Sequence, residues 1–173
     1  MYLFSQYKYK TKDTTDPIWY SLNKYNYRLY ITFTFFYESQ KENTIKAENL
    51  RKEILKRFFY IFRAYFKMKK NDLEIFYCYE KNKNDETHVH CIIGHNGIEC
   101  YSFGFLYNFI VNLWGKVCKS PFSIIDIKEV DNETKKELVR YIAKRRKNFY
   151  YGIEDKDYFI SNGLRLALMK LAI

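Results

Sequence analysis

Across residues 27–37 the chain reads YRLYITFTFFY, and polarity alternates residue by residue. Leu29, Ile31, Phe33 and Phe35 fall on one side; Arg28, Tyr30, Thr32, Thr34 and Phe36 fall on the other. A period of two marks a β-strand with one buried face. Over residues 44–70 the period lengthens to that of a helix. Leu50, Ile54, Phe58, Ile61, Phe62, Tyr65 and Phe66 form its apolar stripe, with Lys and Arg opposite. Alternation returns in residues 73–80, LEIFYCYE, and again in residues 87–94, the latter bounded by Asn84-Asp85 and by Gly94-His95-Asn96-Gly97. These two segments form a hairpin across residues 81–86.

A second helix is expected over 103–117, on Leu106, Phe109, Ile110, Leu113 and Trp114, and a fourth strand over 122–130 after Pro121. Asp131-Asn132 offers a cap for a third helix over 133–147. The order β-α-β-β-α-β is the split-βαβ arrangement: an α+β, ferredoxin-like antiparallel sheet with two helices on one face. The other face is left open, with the third helix, which bears a tyrosine, beside it. The 173 residues suit a single domain, with an N-terminal arm (1–26), a core (27–147) and a C-terminal extension (148–173). The extension contains FYYG and a short helix at 164–172, which add an edge strand and a packing helix or contact a partner.

Composition narrows the function classes. There is no apolar run long enough to span a bilayer and no signal-peptide pattern in MYLFSQYKYKTK, so no membrane role is expected. Cys78, Cys91, Cys100 and Cys118 form no CxxC pair and read as reduced, cytoplasmic thiols. The net charge of +10 and an aromatic content of 20% suit a partner with phosphates to neutralise and bases to stack. AT-rich codon usage is the alternative source of that bias.

The candidate chemistry lies in the fourth element. In residues 87–94, His88, His90 and Ile92 share one face while Val89, Cys91 and Ile93 point to the core. Two imidazoles two residues apart on a strand can reach one divalent ion, and Glu80 across the hairpin can add an oxygen. The alternative is a solvated pair of histidines with no ligand. Glu86, Asp126 and His95 are further candidate ligands. In the third helix, Tyr141 and Lys144 stand at i and i+3, on one side. A tyrosine's pKa of about 10 makes it a poor nucleophile unless a nearby cation stabilises the phenolate. Tyr141 also suits simple packing beside Leu138 and Ile142.

Taken together, these motifs resemble the HUH endonucleases, specifically the rolling-circle replication initiators of plasmids and small single-stranded DNA viruses and phages. Residues 30–36, YITFTFF, are similar to that family's Thr-containing first motif. His88-Val89-His90 is similar to its His-hydrophobic-His motif, and Tyr141-Ile142-Ala143-Lys144 to its YxxK motif. Glu80, eight residues before His88, is placed like the acidic metal ligand of some viral members. The tyrosine follows the histidines, unlike in conjugative relaxases, and no GxxxxGK[ST] motif for a fused helicase is present.

The resemblance implies nicking and joining of single-stranded DNA by metal-dependent tyrosine transesterification. Glu80, His88 and His90 would hold Mg²⁺ or Mn²⁺, Tyr141 would be the nucleophile, and Lys144 its electrostatic support. Arg28, Thr32, Thr34, Arg145 and Arg146 would contact DNA, with Tyr150 or Tyr151 as the alternative nucleophile. Expected partners are single-stranded DNA or an origin hairpin, together with a host helicase, in the cytoplasm of a bacterial host. IS200-type transposases share the motif order. A non-catalytic single-stranded nucleic-acid-binding module and a degenerate initiator that binds without cutting are the other readings.

Overall fold

The computed structural model describes residues 25–35, 45–81, 87–119, 124–131, 134–135, 138 and 158–170. Its elements are β1 (Tyr27–Thr34), α1 (Ile45–Tyr65), β2 (Ile75–Lys81), β3 (Thr87–Gly94), α2 (Phe103–Cys118), β4 (Ile125–Glu129), β5 (Tyr158–Ile160) and α3 (Asn162–Lys170). The strands form one antiparallel sheet in the order β4-β1-β3-β2-β5. The first four take the split-βαβ order, so the fold is α+β as expected. Here α1 carries the chain from β1 past β3 to β2, and α2 carries it from β3 past β1 to β4. The C-terminal extension adds β5 against β2 and then α3.

Alternation decides which side chains enter the main core. Leu29, Ile31 and Phe33 of β1, Val89, Cys91 and Ile93 of β3, Ile75 of β2 and Ile127 of β4 all face α1 and α2. Burying this surface is the dominant favourable term in folding. Aromatic rings supply much of the packing: Phe33 lies 5.0 Å from Phe58 and 4.6 Å from Trp114, centroid to centroid, in tilted or edge-on geometry.

Helix α1 departs from its expected stripe and its expected end. Leu50 and Tyr65 are exposed, while Leu55, Phe58, Phe59 and Phe62 are buried. The apolar arc of this helix is broad, reaching from Leu50 round to Leu55 and Phe59, so periodicity alone leaves its facing ambiguous by about one residue. Packing of Phe58 against Phe33 and Trp114 settles it. The rotation draws in Arg51, where burial lowers the guanidinium pKa from its ordinary value and Glu48 opposes the shift.

The helix stops at Tyr65 rather than near residue 70. Lys67 takes the left-handed conformation (φ 54°), its N–H donates to the Ala64 carbonyl, and the Met68 N–H donates to that of Arg63. This is a Schellman cap with Lys where Gly is usual, which is why no glycine announced it.

The sheet's second face is not fully open. Tyr27, Tyr30, Phe76, Cys78 and Ile92 form a smaller cluster there with Ile160, Leu164 and Leu168 of the extension. A bulge between Tyr27 and Leu29 in the β1–β3 pairing lets Tyr27 join Tyr30 on this side, against strict alternation. The extension docks closely. Ser161 Oγ donates to the Leu73 carbonyl at 2.6 Å and accepts the N–H groups of Ile75 and Leu164. Gly163 lies against the backbone of Asn71 and Leu73, where a Cβ would come within 2.4 Å of the Asn71 oxygen.

Asp131 caps a helical turn as expected, its Oδ1 accepting from the Thr134 N–H at 2.6 Å while Thr134 Oγ1 accepts from the Asp131 N–H. Residues 134–135 and 138 are helical, and Leu138 packs against the second cluster. The remainder of the expected helix over 133–147 lies outside the described residues.

Candidate functional site

The strand register assembles the site. Thr32 pairs with His90 and Thr34 with His88 across β1–β3; Cys78 pairs with His90 and Glu80 with His88 across β2–β3. Because facing positions in a sheet share a side, Tyr30, Thr32, Thr34, His88, His90, Cys78 and Glu80 all project from the face opposite α1 and α2. Residues some sixty positions apart in sequence meet only because β1 and β3 are central neighbours.

His90 is the centre of this group and is almost wholly buried. Its Nε2 lies 2.8 Å from Glu80 Oε2. Its Nδ1 lies 2.8 Å from the Tyr30 hydroxyl and 3.2 Å from Thr32 Oγ1. Glu80 therefore does stand beside the histidines, although its carboxylate reaches diagonally to His90 rather than to its register partner His88. Diagonal neighbours across a strand pair are within reach of a side chain this long. His88 turns its Nδ1 to Thr34 Oγ1 at 3.0 Å.

Two imidazoles and a carboxylate offer nitrogen and oxygen donors that suit several divalent ions, so the donor chemistry fits a cation. Among the described residues, no group of three or more His, Cys, Asp or Glu is drawn close enough to hold one. What the structure joins is the pair Glu80–His90. His88 stands beside them, with its Nδ1 turned to Thr34.

The other expected residues fall in several places. Arg28 is ion-paired with Glu129 and reaches the Tyr101 carbonyl at 3.4 Å. Thr32 and Thr34 direct their hydroxyls at histidine rings. Asp126 pairs in register with Thr32 and meets Lys128 at 3.4 Å. His95 lies in the turn after β3, where its carbonyl accepts the Ile98 N–H. Tyr141, Lys144, Arg145, Arg146, Tyr150, Tyr151 and Glu86 lie outside the described residues. Alternation places Tyr30 on the histidine face without marking it as a site residue. Its part in the site depends on strand register, for which the sequence carries no signal.

Several described tyrosines are disqualified as nucleophiles by their surroundings. Burial pushes Tyr77 up to about 12, and raises Tyr79 and Tyr27 further. Tyr25 is raised by burial and then by its hydrogen bond to Glu74. Activation requires a shift in the opposite direction. None of the four cysteines is in a disulfide among the described residues, and burial raises the Cys91 thiol and pushes that of Cys118 up to about 12. No described helix is long and apolar enough to cross a membrane.

No individual curated protein matches the chain. At the level of families, the model of the replication-associated protein ORF2 family matches residues 28–149, a span that runs from β1 past β4. That match covers more than half of the sequence and includes Tyr30, Thr32, Thr34, Glu80, His88 and His90, and the chain belongs to the replication-associated protein ORF2 family.

Proposed function

We propose that the protein nicks and rejoins single-stranded DNA to initiate rolling-circle replication, by an HUH-type tyrosine transesterification. The observation that carries this reading is the buried His90–Glu80 pair beside His88, three residues that lie within the span matched by a replication-associated family. Glu80, His88 and His90 would together hold Mg²⁺ or Mn²⁺. Bound there, such an ion supplies Lewis-acid polarisation of a scissile phosphate.

Tyr141 is the proposed nucleophile. Leu138 packs on the histidine side of the sheet, and a helix continuing as the sequence predicts would carry position 141 one turn further along that side. The Tyr141 phenol gives up its proton, its oxygen attacks phosphorus, and the bond from phosphorus to the 3′-oxygen breaks. The 3′-oxygen takes up a proton. The products are a 5′-phosphotyrosine link and a free 3′-hydroxyl, so phosphodiester energy is conserved and a later 3′-hydroxyl can reverse the step. Lys144 would offset phosphate charge, with Arg28, Thr32, Thr34, Arg145 and Arg146 as the proposed DNA contacts. A flexible single strand or the loop of an origin hairpin can reach a phosphate into this face more easily than a duplex.

The test is a gel shift under denaturing conditions with a randomised single-stranded DNA pool and Mn²⁺. A covalent adduct that is lost with EDTA and in Tyr141→Phe supports the reading. Retained DNA in a native gel without any adduct would instead support a binding module, and an adduct surviving in Tyr141→Phe would move the nucleophile to Tyr150 or Tyr151.

A further inference from the structure

The β1 hydroxyls Tyr30, Thr32 and Thr34 recur at every second residue, and so do the β3 histidines opposite them. Each histidine turns its Nδ1 toward this row: His90 to Tyr30 and Thr32, His88 to Thr34. We infer that Tyr30, assisted by Thr32, is a positioning residue that lets His90 exchange one ring tautomer for the other when its Nε2 changes partner. The inference rests on the reading of His90 as a cation ligand.

The argument follows from donor and acceptor inventories. An ionised carboxylate only accepts hydrogen bonds. With Glu80 Oε2 at 2.8 Å, a neutral His90 ring must therefore carry its proton on Nε2 and donate it to Glu80. Nδ1 is then an acceptor, and the Tyr30 hydroxyl donates to it across 2.8 Å. When Nε2 instead faces a cation, the neutral ring must carry its proton on Nδ1, and a hydroxyl is needed that accepts. A hydroxyl is the side-chain group that can serve in both directions by rotating its hydrogen. A carboxylate at this position would hold Nδ1–H permanently and oppose the Glu80 contact. A phenylalanine would take away the nearer of the two hydroxyls and keep that of Thr32, at 3.2 Å in this buried setting.

Ring packing keeps the pair aligned, with the Tyr30 and His90 rings 6.0 Å apart and 19° from parallel. Partners on the second nitrogen of a ligating histidine typically change metal affinity about 10–100-fold when removed.

The protein has three histidines, which makes ring-nitrogen NMR of ¹⁵N-histidine-labelled full-length chain tractable, with His95 as an internal control. In wild type without metal, at a pH where the ring is neutral, His90 is expected as the Nε2–H form, and titration with diamagnetic Mg²⁺ is expected to move the proton to Nδ1. Tyr30→Phe keeps the ring and should weaken Mg²⁺ binding about 10–100-fold, with the His90 Nδ1 resonance shifted and the thermal melt preserved. Thr32→Ala should weaken binding less, and Thr32→Ser should restore it.

Wild-type affinity and unshifted His90 resonances in Tyr30→Phe would overturn the inference while leaving the nuclease reading intact. So would an Nδ1–H ring in the metal-free wild type. Absence of Mg²⁺ and Mn²⁺ binding to wild type would overturn both. A normal tautomer exchange in a protein that forms no DNA adduct would sink the nuclease reading alone.

Discussion

On the helix side of the sheet, Leu29, Ile31, Phe33, Val89, Cys91 and Ile93 close against Phe58, Phe62 and Trp114. On the other side, the same two strands present Tyr30, Thr32, Thr34, His88 and His90, joined to Glu80 of β2. The residues of the two sides interleave along the chain, so neighbours in sequence serve different ends. One side gains its stability from non-directional burial. The other arranges directional hydrogen bonds around a buried imidazole, an arrangement favoured only when each group keeps its partner. Adjacent substitutions should therefore give opposite phenotypes.

The largest effect is expected on the helix side. Trp114→Ala removes a fully buried ring packed against Phe33, Phe35 and Phe58. It should cost about 3–5 kcal/mol, seen as a drop on the order of 10 °C in the thermal midpoint. A shift of only a degree or two would mean that the helix side is not the main store of stability. On the histidine side, Glu80→Gln preserves shape but removes the carboxylate that meets His90. Adduct formation should fall about 10–100-fold, while the melting temperature changes far less than for Trp114→Ala. Equal losses of stability in the two variants would erase the contrast.

The extension offers a sharper cut, because it covers only part of the histidine side. Gly163→Ala would put a Cβ 2.4 Å from the Asn71 oxygen and 2.6 Å from that of Leu73, and should cost about 1–3 kcal/mol. Hydrogen exchange should rise in α3 and β5 and stay slow in β1 and β3. Uniform loss of protection would show that the two clusters open as one unit.

The smallest effect treats both sides alike. Burial raises Tyr77 to about 12 on the helix side and raises Tyr27 on the other. An unfolded tyrosine titrates near pH 10. Above that pH the unfolded chain has lost a proton that the folded chain retains, so stability declines as pH rises. The contribution of Tyr77 is intact below about pH 10 and is lost up to about 12, at about 1.4 kcal/mol per pH unit. Urea midpoints between about pH 9 and 12 in wild type and Tyr77→Phe would check this, the variant showing the shallower decline.

Much of the architecture was legible because a two-residue period leaves little freedom. Once Leu29, Ile31 and Phe33 face inward, Tyr30, Thr32 and Thr34 must face outward, and the bounds of β3 follow from Asn84-Asp85 and Gly94. Helix facing was less legible, since the apolar arc of α1 is broad, and its end was hidden because Lys67 occupies a position where glycine is usual. The bulge at Tyr27 likewise has no local signature.

The sequence by itself determined which side chains share a face, because side-chain direction along a strand is a local property of the backbone. It therefore placed the histidines, Glu80 and the β1 hydroxyls on one side. Only the tertiary structure decided which of them touch. Strand order and register are non-local. They bring the Tyr30 hydroxyl to one nitrogen of His90 and the Glu80 carboxylate to the other, and they fold the C-terminal extension over Ile92 and Phe76. The free energy that selects this register comes from the interdigitated core on the opposite face, so the stability of one side sets the geometry of the other.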